Sequence, residues 1–473
     1  MDIFLLTDIG STYTKVAAVN IKSQSIVGFA KSFTTAEDNV LLGYEAAKNE
    51  VLKQVGNIQF KMQLAASSAA GGLKMVSVGL VPELTAKASR LASTSAGAKV
   101  ISTYSYELTS LEQNEIEHIK PDILLLSGGI DGGNKKVLLH NAQIIASINA
   151  CFPVIIAGNR SCAAAAQDIL QKGGKPAIIC ENVMPVFGKL NILPAKNAIR
   201  ELFIKNIISA KGLDKVQAIL SNEIIPTPLA VLNACRLLAK GTETQKGLGE
   251  LMAYDLGGAT TDVYSMADGS PKMPNAFISG ITEPFDKRTV EGDIGMRYSQ
   301  RALYNLLEEQ GLQNFLSEYN LKNEDIKAWL NICQSSPNVL PIEGYAKYSE
   351  VDIAFATEAL RISAARHVGY NEAVYTSSGQ VYMQTGKDLT SVLYIIGSGG
   401  AVINAKNPSH VLQKTIYSPK DLQLLKPLGP KLLLDKKNIL AAMGLLSVFE
   451  PDAALAIMKN SLLEVHNKTT SNK

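Results

Sequence analysis

The apolar positions of this chain fall into short runs broken by glycine and acidic residues, and the spacing of those runs predicts its elements. A first apolar run ends at Asp8 and Gly10 and resumes at Lys15-Val16, the pattern of a tight β-hairpin. Residues 16–19 and 26–29 continue as an antiparallel pair, residues 39–54 repeat apolar positions at helical spacing, and 64–67 read as a short strand. From about 80 to 194 helix and strand alternate. Helices are predicted at 82–95, 110–119, near 138–149 and at 162–172, with strands at 98–103, 123–126 and 154–157. Strands separated by helices at this spacing mark a parallel βαβ layer. Beyond it, helices are predicted at 195–210 and from Ile224 to Arg236, followed by an apolar strand at 251–253 that resumes at Val263. A helix reaches Glu309, and the polar stretch 311–345 around Trp329 reads as a small helical cap. Helices at 353–367, 441–448 and 451–465 and a strand at 431–434 complete the ordered chain, and the polar tail 467–473 reads as disordered.

Length changes the picture first. At 473 residues the chain exceeds what one core organises, so at least two domains are expected. The boundaries read as a first half over 1–79, an inserted α/β subdomain over 80–190, the end of the first half over 191–250, and a second half over 251–466. A net charge of +3 with 19% charged residues argues against nucleic acid or a membrane surface as partner. No apolar run reaches a membrane span, and the first residues enter a strand rather than a basic signal region. The expected location is therefore cytoplasmic. The five cysteines, Cys151, Cys162, Cys180, Cys235 and Cys333, form no Cys-x-x-Cys and read as buried free thiols; the five histidines are scattered.

The chemistry concentrates in three glycine turns. Ala253-Tyr-Asp255-Leu-Gly257-Gly258-Ala259-Thr260-Thr261-Asp262 and Asp8-Ile-Gly10-Ser11-Thr12-Tyr-Thr14-Lys15 overlay without gaps, Asp8 on Asp255 and Gly10 on Gly257. Glycine lets backbone amides approach a phosphate, hydroxyls add hydrogen bonds, and aspartates hold a hydrated magnesium ion. An ordinary hairpin with a polar tip is the plainer reading of each turn alone. A third strand runs into Gly397-Ser398-Gly399-Gly400. In this order the three resemble the phosphate-1, phosphate-2 and adenosine motifs of the superfamily of actin, sugar kinases and heat-shock chaperone ATPases. The resemblance implies an α/β fold of two actin-like, ribonuclease H-like domains around a nucleotide cleft, with ATP or ADP and magnesium bound. Asp8 and Asp255 would hold the metal through water. Gly10, Ser11, Thr12, Gly257, Gly258, Thr260 and Thr261 would line the phosphates, and Gly397, Ser398, Gly399 and Gly400 would meet the adenosine. Lys15 would reach a terminal phosphate or simply decorate the strand, and Asp262 would orient the attacking water.

Further segments narrow the resemblance: Val81-Pro-Glu-Leu-Thr-Ala, Ser127-Gly-Gly-Ile-Asp131-Gly-Gly133, Ala157-Gly-Asn159, Pro226-Thr-Pro228 and Glu291-Gly-Asp293-Ile-Gly-Met-Arg297. Together they resemble the glutamate mutase accessory proteins, the GlmL or MutL family, over about residues 3–465. The resemblance implies an ATPase acting as a reactivating chaperone for an adenosylcobalamin-dependent mutase, with mutase subunits as partners. Ala259 departs from the pattern, standing where many phosphate-2 loops carry a third glycine. Three alternatives stay open: a sugar or carboxylic acid kinase, a filament-forming ATPase, and the ATPase activator of a 2-hydroxyacyl-CoA dehydratase, whose paired cluster cysteines are missing here. The glycine turn at Ser127–Gly133 is either a second ligand site or only a sharp turn. Glu291, Asp293 and Arg297 either face the nucleotide or cap a solvated helix start.

Overall fold

The computed structural model describes residues 2–34, 39–68, 73–207, 213–335, 348–377 and 379–466. It divides into two compact units, Met1–Val231 with Gly280–Thr282, and Leu232–Ser279 with Glu283–Lys473. The expected disordered tail and the last part of the expected cap, 336–345, lie outside the described residues.

The strands of the first unit are β1 (Ile3–Ile9), β2 (Tyr13–Asn20), β3 (Ser25–Phe33), β4 (Met62–Ser67), β5 (Lys74–Val78), β6 (Lys99–Tyr104), β7 (Ile123–Leu126), β8 (Val154–Ile156), β9 (Ala177–Ile179) and β10 (Ile225–Pro226). Its helices are α1 (Val40–Val55), α2 (Lys87–Ser95), α3 (Ser110–Ile119), α4 (Lys136–Ser147), α5 (Arg160–Lys172), α6 (Leu193–Ile207) and α7 (Leu213–Gln217), and α8 (Thr227–Lys240) follows β10. One sheet has the order β10-β4-β1-β2-β3, with β1, β2 and β3 antiparallel and β4 parallel to β1. Helix α1 starts where the Asn39 side chain accepts the Leu41 amide, and it buries Val40, Tyr44, Ala47 and Val51, one stripe at helical spacing.

The second sheet is all parallel, in the order β6-β5-β7-β8-β9. It confirms the expected βαβ layer, but β5 opens it at Lys74, ahead of the first strand read from the sequence. The helix expected over 82–95 begins as a π-turn, Pro82–Ala86, before α2. Helix α2 is polar by composition yet largely buried. Its hydroxyls are satisfied within the fold: Ser93 donates to the Ser89 carbonyl, Thr94 to that of Arg90, and Ser89 to the Ser127 hydroxyl at 2.7 Å. Helix α3 is held by a reciprocal box in which the Glu112 carboxylate accepts the Thr109 amide at 2.8 Å.

In the second unit the strands are β11 (Leu251–Leu256), β12 (Thr261–Met266), β13 (Ala276–Ile278), β14 (Asp286–Glu291), β15 (Tyr370–Thr376), β16 (Gly379–Thr385), β17 (Tyr394–Ser398), β18 (Lys431–Leu434) and β19 (Leu463–Glu464). The helices are α9 (Gln300–Glu309), α10 (Leu312–Tyr319), α11 (Asn323–Ser335), α12 (Ser349–His367), α13 (Gly400–Ile403), α14 (Pro408–Gln413), α15 (Leu440–Leu446) and α16 (Pro451–Ser461). The main sheet runs β14-β12-β11-β17-β18-β19. Its first three strands are antiparallel, and β17 and β18 are parallel to β11 and to each other. Apart from the short β19, this repeats the order and directions of the first sheet. The duplication extends to the register: Asp8 pairs with Lys15, and Asp255 pairs with Asp262.

The described part of the region expected to be a small helical cap is helical, in α10 and α11, but its inner side is apolar. Trp329 is fully buried in the core of the second unit, stacked on Tyr348 with ring centroids 5.5 Å apart. The cysteines need correction too. All five are free, but Cys151 is exposed and Cys180 half-buried.

Lys387 is a buried cation in the same unit. It donates to the carbonyls of Pro284 (2.9 Å) and Phe285 (2.8 Å), and burial, aided by neighbouring Lys287, lowers its pKa to about 8. The unfolded chain therefore holds this proton up to the ordinary lysine range near 10.5 while the folded chain releases it earlier. Between pH 8 and 10.5 the second unit is expected to gain stability from this group as pH rises. Denaturant midpoints across that window check it: the parent's stability relative to Lys387→Met should rise with pH, and a flat difference would contradict it.

Candidate nucleotide-binding site

Each hairpin is built by a buried strand that stops at a glycine. In the first unit the Gly10 amide donates to the Tyr13 carbonyl at 3.0 Å, and in the second the Gly257 amide donates to the Thr260 carbonyl at 2.9 Å. Among the described residues, the amides of Ser11, Thr12, Gly258 and Ala259 donate to no protein group. In the second turn the neighbouring carbonyls are occupied, and in the first that of Thr12 is. Thr12 O accepts from the Thr34 amide, Gly257 O from Met296, and Gly258 O from Arg297 and Tyr298; Ala259 O accepts the Ser299 hydroxyl at 2.6 Å. Turns with engaged carbonyls and unengaged amides are polarised for an anion.

Asp8 is buried and doubly held, its Oδ1 accepting the Thr227 hydroxyl at 2.8 Å and its Oδ2 the Lys15 ammonium at 3.2 Å. Lys15 thus answers the acid at its own cross-strand position. At the matching position of the second hairpin stands Asp262. Its carboxylate is clamped by Arg288, with Nε at 2.7 Å and the other contact at 2.6 Å, both groups being buried. That pairing turns Asp262 away from the expected role of orienting water and makes it a structural anion. Asp255, directly opposite on β11, is half-buried.

Thr261 is also corrected. It is fully buried and donates to the Ile294 carbonyl at 2.9 Å, so its hydroxyl pins the 292–299 segment from behind. Ser11 is exposed, and Gly10, Thr12, Gly257, Gly258 and Thr260 are half-buried around the turns. Arg297 does not face the loop either. It pairs with Asp352 at 2.8 Å and lies over the Trp329 ring, while Glu291 and Asp293 pair with Arg366 at 2.7 and 3.0 Å.

The third motif lies beside the second hairpin, because β17 is the parallel neighbour of β11 and Ser398 pairs with Asp255. Gly399 has φ +88°, and a Cβ there would meet the Leu256 carbonyl oxygen at 2.2 Å, so the close approach of the two turns requires glycine. Gly397, Ser398 and Gly399 are buried, and Gly400 is exposed.

Two supporting residues escaped the sequence reading. Asp435, buried at the end of β18, accepts the amides of Ile439 (3.0 Å) and Leu440 (3.1 Å) at the start of α15, and lies 3.4 Å from the Ser398 hydroxyl. Burial, together with the carboxylates of Asp435 and Asp255, pushes the nearby Cys235 thiol up. The signal for Asp435 was another apolar strand ending in aspartate, Leu432-Leu-Leu-Asp435. Arg288 had no such signal, being one cation among alternating charges.

The turn at Ser127–Gly133 is closed by its neighbours. Asn159 donates to the carbonyls of Gly133 and Asn134 (both 3.1 Å) and accepts the Gly132 amide, while Asn182 donates to Gly129 O and to Asp131. These bonds favour the sharp-turn reading. Among the described residues no group of three or more histidine, cysteine or acidic side chains converges as a metal cluster, and no helix is long and apolar enough to cross a membrane.

Residues 4–462 match the family described as MutL protein. Protein MutL of Clostridium tetanomorphum is 42% identical over 468 residues, covering 98% of this chain and all of that protein. Among solved structures, xylulose kinase from Lactobacillus acidophilus aligns with 98% of this chain and 93% of its own, at 11% identity and a TM-score of 0.33. Plasmodium falciparum glycerol kinase with ADP aligns with 99% and 94%, at 10% identity and a TM-score of 0.34.

Proposed function

Because the chain belongs to the MutL protein family, we propose that it is an ATP-hydrolysing accessory protein of an adenosylcobalamin-dependent mutase, glutamate mutase or a related enzyme. Its work is to reactivate a mutase carrying damaged cofactor. The observation that carries the nucleotide part is the repeated turn, in both units built with unengaged amides beside a strand-end aspartate. The unengaged amides of Ser11, Thr12, Gly258 and Ala259 bind phosphate oxygens, Gly10 and Gly257 shape the turns that present them, Thr260 adds its hydroxyl, and Gly400, at the open end of the third motif, meets the nucleoside. Asp8 in the first unit and Asp255 in the second are each a strand-end carboxylate that would serve a hydrated magnesium ion through water. Bound there, the ion would neutralise phosphate charge. ATP drives work on the partner only through its different affinity for two conformations of the chain.

Gly258 supplies the test. Its φ lies outside the left-handed region, and an added Cβ would meet nothing closer than the Tyr298 ring at 3.6 Å. The fold leaves room for a side chain there, whereas a bound phosphate would not. Gly258→Val is expected to weaken ATP binding by calorimetry by about a hundredfold, ~2.7 kcal/mol, with an unchanged unfolding midpoint. Parent-like ATP affinity in a folded variant would leave the turn without a phosphate role. The partner part is tested by co-purification with glutamate mutase subunits, which ATP should alter.

A further inference from the structure

The parallel layer of the first unit ends at β6. Among the described residues no strand pairs with the outer side of β6, and after Lys99 this strand reads Val100-Ile-Ser-Thr-Tyr104 without a charge. Edge strands are ordinarily guarded by charges, proline or a cover, because their free backbone groups recruit other strands. Here the edge borders a groove of about 440 Å³ between β6 and α3, lined by Ile101, Tyr104, Leu111, Glu115 and Ile119 among others. Ile101 is 38% and Leu111 64% exposed, and Tyr106 stands exposed nearby. Glu115 lines the groove, and the segment 105–119 carries Glu107, Glu112 and Glu117 besides and no lysine or arginine, the nearest in sequence being Lys99 and Lys120. An apolar floor, an open strand edge and an acidic rim are complementary to one kind of occupant.

We infer that the β6–α3 groove docks an extended segment of the partner enzyme, added as a further strand to the sheet, with alternating apolar side chains in the groove and flanking lysines or arginines over the glutamates. This rests on the accessory-protein reading and names its contact surface. None of the groove's lining residues belongs to a phosphate turn, so its loss is expected to spare nucleotide binding.

The experiment uses the full chain, purified glutamate mutase subunits, and overlapping synthetic peptides spanning those subunits. Ile101→Lys with Leu111→Lys replaces two partly exposed apolar side chains by cations. The double variant is expected to lose capture of the mutase by tenfold or more, on the order of a strong interface residue, while binding ATP like the parent. Peptides alternating apolar residues between lysines or arginines are expected to bind the parent, less tightly as salt rises, and not the variant. Undiminished mutase capture by the variant overturns the proposal. So does a concentration-dependent dimer of the parent that the variant abolishes, because the groove would then hold a second copy. If the parent captures no mutase, the accessory reading fails, and the peptides alone decide the groove: no bound peptide overturns it.

Discussion

Alanine at position 255 is expected to lower ATP turnover by roughly 10²–10³-fold, the range in which single electrostatic elements of an active site are lost. Asp255 is the half-buried acid at the end of β11, in register with Ser398 on one side and Asp262 on the other. Its cross-strand neighbour Asp262 is paired with Arg288, and Asp255 is the second hairpin's counterpart of Asp8. Steady-state phosphate release, with magnesium titrated, checks the expectation. The variant should need more magnesium for half-maximal rate as well as turning over more slowly, which distinguishes loss of a metal-organising charge from general damage. Parent-like turnover would remove Asp255 from the site.

Arg288→Ala is expected to destabilise the second unit by about 3–5 kcal/mol, the usual consequence of stranding one member of a buried ion pair. The guanidinium is almost fully buried, and removing it leaves Asp262 opposite Asp255 with no counter-charge. Trp329 is the only tryptophan and lies in the core of this unit, so its fluorescence during urea unfolding reads this loss and not that of the first unit. Adding Asp262→Asn to Arg288→Ala should recover much of the stability, since an amide needs no cation. A loss below about 1 kcal/mol, the level of an exposed pair, would contradict the clamp.

Much of this architecture was legible because it obeys periodicity. The alternation after residue 98 gave α3, β7 and β18 with their observed bounds, and the doubled Asp-x-Gly turns announced the duplicated sheets. What escaped was structure that periodicity does not encode. The strand β15 is exposed on both faces over most of its length, so Tyr370-Asn-Glu-Ala-Val-Tyr-Thr shows no buried stripe to find. The segment holding Trp329 looked polar because its charges lie on the outer sides of α10 and α11, while Phe315, Ile326 and Leu330 turn inward with the indole. Within the site, the strand-end acids were visible, but their partners were not. Thr227 on Asp8 and Arg288 on Asp262 come from segments far along the chain, and only the fold brings them to the acid.

The distribution of thiols has a practical side. Cys162, Cys235 and Cys333 are buried, and burial pushes the half-buried Cys180 up to about 12, which leaves little thiolate near neutrality. Cys151, in the loop before β8, is the one exposed cysteine. A maleimide dye should therefore attach at one place in the unmodified chain, on the same layer that carries the β6 edge. Its anisotropy would follow capture of a large partner without any engineered cysteine.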